Sequence, residues 1–182
     1  VEGTETATLE ISNPSSGIVL GSTVTQNVDI TDNDSAGDVS TTLPASGTFS
    51  VDIVGGNIEL RDSGNNPIAT TPNTGDVMVM GTDGDDILML EAEDLAADIT
   101  FDGGAGDDAL SVEGDGVDDE IIYTPDVANF GDGRLDVDNG STTVTIDFEN
   151  LEPVDMTGFA VATLNLPGAD DVLTIAEGTD FT

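Results

Sequence analysis

The 182-residue chain contains no cysteine, histidine, lysine or tryptophan, and its only basic residues are Arg61 and Arg134. Without cysteine, neither a disulfide framework nor a thiolate metal site can form. Two isolated arginines cannot build the basic patch that nucleic acid or an anionic membrane requires, so we expect neither as a partner. No apolar run approaches the roughly 18 residues that span a bilayer, which predicts no membrane insertion.

Acidic residues far outnumber basic ones: the chain has 38 aspartates and glutamates and a formal net charge of −36. So many carboxylates repel one another when the chain is compact. Folding therefore needs multivalent cations, high ionic strength or carboxylates that are well solvated. Two interpretations stay open: a calcium-rich extracellular module, or a protein adapted to high salt. The hydrophobic fraction of 37% can supply a modest core, so a folded chain is expected.

Strand patterns with β-branched residues and period-two alternation occur at 6–12, 23–31, 49–54, 141–148 and 159–166. Glycine, asparagine, aspartate and proline clusters separate them. Only 91–97 suggests a helical turn, so the predicted class is all-β. A polar segment, 35–47, is interpreted as a linker between a first segment, 1–34, and a second, 48–182.

Two turn segments repeat a glycine–aspartate pattern in the second segment. Residues 103–110 read GGAGDDAL and residues 81–88 read GTDGDDIL, so Asp86 precedes Asp108 by 22 residues. A degenerate copy, PGADDVL, ends the series and contains Asp171. Apolar pairs about 10 to 12 residues apart favour stacked, solenoid-like β structure. These pairs are Val77/Val79, Ile87/Met89, Ile99/Phe101 and Leu110/Val112.

The two turns resemble the calcium-binding repeats of RTX-like and β-helical segments in large secreted bacterial proteins. This resemblance implies that Asp86 and Asp108 are Ca²⁺ ligands. The alternative is that both carboxylates only accept backbone N–H bonds within tight turns. The acidic run 113–120, EGDGVDDE, is interpreted either as a further cation patch or as a solvated loop.

Residues 1–34 resemble the C-terminal half of a Calx-β domain, on the strength of Ser12-Asn13-Pro14 and the final segment ITDND. The resemblance implies a partial immunoglobulin-like sandwich whose N-terminal strands are missing from this sequence. It also implies a Ca²⁺ site, since carboxylate oxygens suit a hard cation. The matching ligands are Glu2, Glu5, Asp32 and Asp34. The alternative is a domain that keeps the fold without binding calcium.

Together these features predict a structural, calcium-binding module of a large extracellular surface protein, of the adhesin or surface-layer type. Neighbouring domains or identical subunits are its expected partners. One alternative is a filament subunit assembled by β-strand complementation. Another is a polysaccharide-active β-helix enzyme, but no catalytic residue is identified, because histidine, cysteine and lysine are absent and 38 carboxylates single out no pair. We therefore expect no enzyme.

Overall fold

The computed structural model describes residues 5–10, 25–30, 38–166 and 168, with side chains described from residue 38 onward. These residues form strands and turns and contain no helix, which confirms the all-β class. Accordingly, no helix in the described part of the chain is long and apolar enough to cross a bilayer. In chain order the strands are β1 (Glu5–Glu10), β2 (Thr25–Ile30), β3 (Val39–Thr42), β4 (Gly47–Val54), β5 (Asn57–Asp62), β6 (Pro67–Pro72), β7 (Val77–Met80), β8 (Asp86–Glu91), β9 (Ile99–Asp102), β10 (Ala109–Glu113), β11 (Glu120–Pro125), β12 (Gly133–Asp138), β13 (Thr143–Glu149), β14 (Val154–Thr157) and β15 (Val161–Leu164).

The described strands form three sheets. β1 and β2 pair antiparallel in a sheet of their own. A six-stranded sheet has the order β14-β10-β8-β4-β5-β6, and a seven-stranded sheet has the order β15-β11-β12-β13-β9-β7-β3. The chain therefore crosses repeatedly between the two larger sheets.

Four strand units make these crossings: β3–β4, β7–β8, β9–β10 and β13–β14. Each unit places its first strand in the seven-stranded sheet and its second in the six-stranded sheet, and successive units pair in parallel. Between the second and third units, Val77 pairs with Ile99 and Ile87 with Ala109, so both strands shift by 22 residues. The other shifts are longer, because the strands β5 and β6 and then β11 and β12 intervene.

The hydrophobic core lies between the two larger sheets. Val79 and Phe101 of the seven-stranded sheet and Leu88 and Leu110 of the six-stranded sheet are fully buried in one cluster. In β7 the buried valines alternate with the exposed Met78, as a strand with one solvated face requires. Removal of this apolar surface from water is the main favourable term in folding the stack.

All five predicted strands are present, and each end lies within about two residues of the predicted position. Within 35–47, the segment interpreted as a linker, β3 pairs in parallel with β7 and so forms part of the stack. The predicted helical turn at 91–97 is wrong. Glu91 ends β8, and a turn follows in which Asp94 has a φ of 63°. This turn buries Leu95 in the core.

The apolar pair Ile87/Met89 does not form the inward face of β8. Leu88 and Leu90 are buried, whereas Met89 is 46% exposed and Ile87 is only partly covered. Asp86 lies on the same inward face of β8 as the two leucines and is itself buried. The position of this aspartate at the turn therefore fixes which face of the strand meets the core.

Candidate functional site

The two glycine–aspartate turns, 81–86 and 103–108, stack on one another where the chain passes from the seven-stranded to the six-stranded sheet. The Gly81 N–H donates to the Asp102 carbonyl at 2.7 Å, which holds the start of one turn against the other. A Cβ atom at Gly81 would overlap the Gly103 carbonyl. Glycine is therefore required here by the close approach of two backbones.

Asp86 closes the first turn, and its side chain is 0% exposed. Its Oδ1 accepts the N–H of Gly47 at 2.9 Å. Its Oδ2 accepts the N–H and the hydroxyl of Thr82 at 2.7 and 2.9 Å. Gly47 begins the second strand of the preceding unit, so one carboxylate both closes its own turn and joins two units by charge-assisted hydrogen bonds.

Asp108 occupies the same place in the second turn and is 1% exposed. Its Oδ1 accepts the Asp86 N–H at 2.7 Å, and its carbonyl accepts the Glu152 N–H at 2.7 Å. Its Oδ2 is buried and has no hydrogen-bond partner among the described residues. Burial raises the pKa of Asp108; the Asp86 amide opposes this, and the charges of Asp86, Asp85 and Asp107 raise the pKa further.

A third turn, 114–119, carries the chain back from β10 in the six-stranded sheet to β11 in the seven-stranded sheet. Asp119 is buried there; its Oδ1 accepts the Ala160 N–H at 2.6 Å and its Oδ2 the Gly116 N–H at 3.1 Å. The bond from Ala160 is the main reason that the pKa of Asp119 is lowered. A Cβ atom at Gly114 would overlap the Asp119 carboxylate. The third turn thus repeats the chemistry of the first two.

The interpretation of 113–120 as a further cation patch or a solvated loop does not include this third turn. A sequence signal for it exists: a glycine stands five residues before the second member of an aspartate doublet. All three turns share that spacing, as Gly81 and Asp86, Gly103 and Asp108, and Gly114 and Asp119. Asp86, Asp108 and Asp119 are hereafter called the buried aspartates.

A second row of aspartates lies on the surface at the starts of β3, β7 and β9. Asp38, Asp76 and Asp98 stand side by side, because the residues that follow them pair in register. The Asp38 carboxylate accepts the Asp76 N–H at 2.9 Å, and the Asp98 carboxylate accepts the Thr145 N–H at 2.7 Å. Burial and the charges of Asp38 and Asp98 raise the pKa of Asp76. Like charges stacked in this way destabilise the sheet unless cations screen them.

The structure brings two of the six predicted metal ligands together. Asp86 and Asp108 meet through the backbone amide of Asp86. Glu5 begins β1, which is described only by its backbone. Within the described residues, no group of three or more aspartate, glutamate, histidine or cysteine side chains is arranged to hold a metal ion. The remaining predicted residues lie outside the described residues: Glu2, Asp32, Asp34 and, in the degenerate turn, Asp171.

Comparisons with known proteins identify no relative of this chain. No family model matches it, and neither a curated protein nor a solved structure matches it. Function is therefore inferred from the chemistry of the turns and of the surface around them.

Proposed function

We propose that this chain is a structural module of a large extracellular surface protein, of the adhesin or surface-layer type. One observation carries the proposal: each buried aspartate accepts an N–H group from a segment stacked on its own turn. Carboxylates bonded in this way hold layers of a stack together. The parallel pairing of successive units supports a β-solenoid-like architecture for residues 38–166.

Calcium is the cation that we propose to stabilise this module. Asp86 and Asp119 already accept hydrogen bonds on both carboxylate oxygens, so their role is in the turns themselves. Asp108 differs, because its buried Oδ2 is without a partner in the described residues and it lies among other carboxylates. Ca²⁺ binds carboxylate and backbone carbonyl oxygens together, so Asp108 is the residue of this region that suits it best.

Thermal unfolding of the full chain in low salt, with calcium or with chelator, tests this role. Calcium at about 100 times its Kd is expected to add about 2.7 kcal/mol to the free energy of unfolding. That increment corresponds to a rise in Tm of roughly 5 to 10 °C for a domain of this size. Asp108→Asn is expected to stay folded and to lose the calcium increment.

Two results would contradict calcium as the stabilising ion. One is a Tm that is the same with calcium and with chelator. The other is full recovery of Tm by molar NaCl in the presence of chelator, because general screening would then suffice, as in a protein adapted to high salt. If calcium raises the Tm of Asp108→Asn as much as that of the unmodified chain, Asp108 is not the Ca²⁺ ligand, and the carboxylates of the Calx-β-like segment become the candidates.

We propose that residues 1–34 form the C-terminal half of a Calx-β-like sandwich, with Glu2, Glu5, Asp32 and Asp34 as its Ca²⁺ ligands. Antiparallel pairing of β1 with β2 supports this. A second candidate function is a filament subunit assembled by β-strand complementation, in which strands of a neighbour pair with the sheet formed by β1 and β2. Light scattering tests it: a concentration-dependent polymer supports strand complementation, and a monodisperse monomer refutes it.

A further inference from the structure

The turn 139–142, which joins β12 to β13, is tied to a distant part of the chain by an amide side chain. Asn139 Nδ2 donates to the carbonyls of Ala92 and Leu95 at 2.8 and 2.9 Å, so both hydrogens of the amide are in use. These acceptors belong to the turn that follows β8, 47 and 44 residues earlier in the chain. Asn139 therefore holds the two turns together.

The other polar groups of Asn139 hold its own turn. Its Oδ1 accepts the N–H groups of Ser141 and Thr142 at 3.2 and 3.0 Å, and its N–H donates to the Thr142 carbonyl at 3.1 Å. Gly140 follows with a φ of 76°, which favours glycine. A Cβ atom at this position would lie only 3.3 Å from the Asp118 carbonyl. The turn therefore requires a glycine directly after Asn139.

An asparagine followed by glycine can deamidate, and Asn139 is the only asparagine in the sequence with a glycine after it. Glycine has no Cβ to hinder the attack of its nitrogen on the asparagine side chain. A bond forms between the Gly140 nitrogen and Asn139 Cγ, the Cγ–Nδ2 bond breaks, and ammonia leaves with the hydrogen of the Gly140 amide. Water then opens the cyclic imide and leaves aspartate or isoaspartate at position 139.

The fold opposes this reaction. Asn139 Cγ must change from planar to tetrahedral and Nδ2 must depart, so the amide has to leave its four hydrogen bonds. The Gly140 N–H is held as well, by Asp138 Oδ1 at 3.0 Å. Ala92 and Leu95, whose carbonyls bind the amide, are 1% and 0% exposed. The reaction therefore proceeds from conformations in which the turn has opened.

The product of the reaction cannot restore the link between the turns. A carboxylate accepts hydrogen bonds but donates none, so an aspartate here would direct oxygen at the two carbonyl oxygens that the amide now binds. The turn that loses its donor contributes Leu95 to the core and has a φ of 63° at Asp94. Deamidation therefore weakens a turn that covers part of the core.

A second asparagine contacts the same turn and serves as an internal comparison. Asn73 Nδ2 donates to the Asp94 carbonyl at 2.6 Å, and its Oδ1 accepts the Ala96 N–H at 2.9 Å. Thr74 follows Asn73, and its branched side chain hinders attack by its nitrogen. The two asparagines therefore have similar structural roles, but only Asn139 has the neighbour that favours deamidation.

We propose that Asn139 is a deamidation site protected by the fold, and that its conversion irreversibly loosens the contact between the turns 92–95 and 139–142. The reaction consumes only water. It involves none of the buried aspartates and no metal ion, so its test is independent of the proposed structural role and of calcium.

Incubation of the full chain in mildly alkaline buffer, with and without urea, tests the proposal. Mass spectrometry of peptides follows deamidation at each asparagine. In urea, Asn139 is expected to react before the other asparagines, and in the folded chain its reaction is expected to be at least about tenfold slower. Equal rates at Asn139 in the two conditions would overturn the proposal, and so would an earlier reaction at Asn73 in urea.

Asn139→Asp measures the consequence for the fold. It is expected to lower the folding equilibrium constant about a hundredfold, because two carbonyls lose their donor. Asn129→Asp, which changes an exposed asparagine, is the matched control and is expected to unfold as the unmodified chain does. Equal stability of the two variants would overturn the proposal.

A refolding experiment gives the answer if Asn139→Asp does not fold at all. Chains that have reacted at Asn139 in urea are returned to buffer, and circular dichroism measures the folded fraction. We expect this fraction to fall in proportion to the share of chains that have reacted. Full recovery of the folded state by the reacted chains would contradict the proposal.

Discussion

Replacement of Asp86 by asparagine is expected to destabilise the chain, whereas the same replacement at Asp108, in the next turn of the stack, is not. Asparagine preserves the shape of aspartate but removes its charge and turns one acceptor oxygen into a donor amide. Within the described part of the chain, Asp86 has hydrogen-bond donors at both oxygens, whereas Asp108 has a donor at only one. The two substitutions therefore differ in what faces the new amide and in the surroundings of the charge that is removed.

In Asp86→Asn, the new NH₂ group must face either the Gly47 N–H or the Thr82 N–H, both of which now point at a carboxylate oxygen. One charge-assisted hydrogen bond is lost, and the new NH₂ group and the backbone N–H that it faces are two buried donors with no acceptor between them. A bond to a charged group contributes about 1.5 to 3 kcal/mol, and an unsatisfied buried donor costs about 1 to 3 kcal/mol. Because these terms overlap, we expect a loss of about 3 kcal/mol in the free energy of unfolding.

In Asp108→Asn, the side-chain oxygen keeps the Asp86 N–H bond and the NH₂ group replaces the oxygen that has no partner. The substitution also removes a buried charge that lies close to Asp85, Asp86 and Asp107. A buried NH₂ group that finds no acceptor costs about 1 to 3 kcal/mol, and removal of the buried charge offsets this cost. We therefore expect the free energy of unfolding, without calcium, to stay within about 1 kcal/mol of the original value. Urea titration followed by circular dichroism measures both variants.

Asp119→Asn provides an independent check, because donors also face both oxygens of that carboxylate. It is expected to destabilise the chain as Asp86→Asn does. Equal losses in Asp86→Asn and Asp108→Asn would refute the reasoning, since the effect would then depend on charge alone. A stable Asp86→Asn variant would show that its carboxylate does not hold the turn.

Two further predictions concern close packing and pH. Gly81→Ala is expected to cost about 3 kcal/mol in the free energy of unfolding, because its Cβ overlaps a backbone carbonyl. Gly84→Ala is expected to cost less than about 1 kcal/mol, because its Cβ meets the Ser46 hydroxyl at 2.8 Å and a side-chain hydroxyl can rotate away. Equal losses in urea titrations would contradict this. Because the pKa of Asp108 is raised in the folded chain, its contribution to the free energy of unfolding is complete below the unfolded pKa and is lost as pH rises through the folded pKa. Because the pKa of Asp119 is lowered, its contribution is complete above the unfolded pKa and is lost as pH falls through the folded pKa. Calorimetry is therefore expected to show a maximum in Tm near the ordinary aspartate pKa of 3.8, and a steady fall in Tm from neutral pH down to that value would contradict this expectation.

The stacked turns were accessible from the sequence because parallel units pair in register. When two units have the same length, the spacing of their turn motifs equals the shift between their strands. The 22 residues that separate Asp86 from Asp108 reappear as the shift in both sheets. The longer shifts elsewhere hide any regular period, because pairs of strands are inserted between units.

The inward face of β8 could not be read from the sequence. Residues 87–90 are all apolar, so alternation gives no preference between the two faces of the strand. Burial of Asp86 decides the matter, but a carboxylate is normally predicted to be exposed. Only the donors at Gly47 and Thr82, which are far apart in sequence, make its burial favourable.

The third turn was missed for a related reason. An acidic run such as 113–120 reads as solvated surface when its residues are considered one by one. The position of Asp119 after Gly114 distinguishes it, but the amide that it binds belongs to Ala160, 41 residues later. Structural aspartates of this kind are recognised from their spacing to a glycine and from the strand that follows.

Hydrogen exchange measured by NMR on the full chain tests most directly whether the buried aspartates hold the stack together. The amides of Gly47, Asp86 and Ala160 donate to carboxylates of other turns. We predict that these three amides exchange as slowly as those of the core strands β8 and β10, through global unfolding alone. Exchange at the rate of exposed turn amides, with the core strands still protected, would contradict the account.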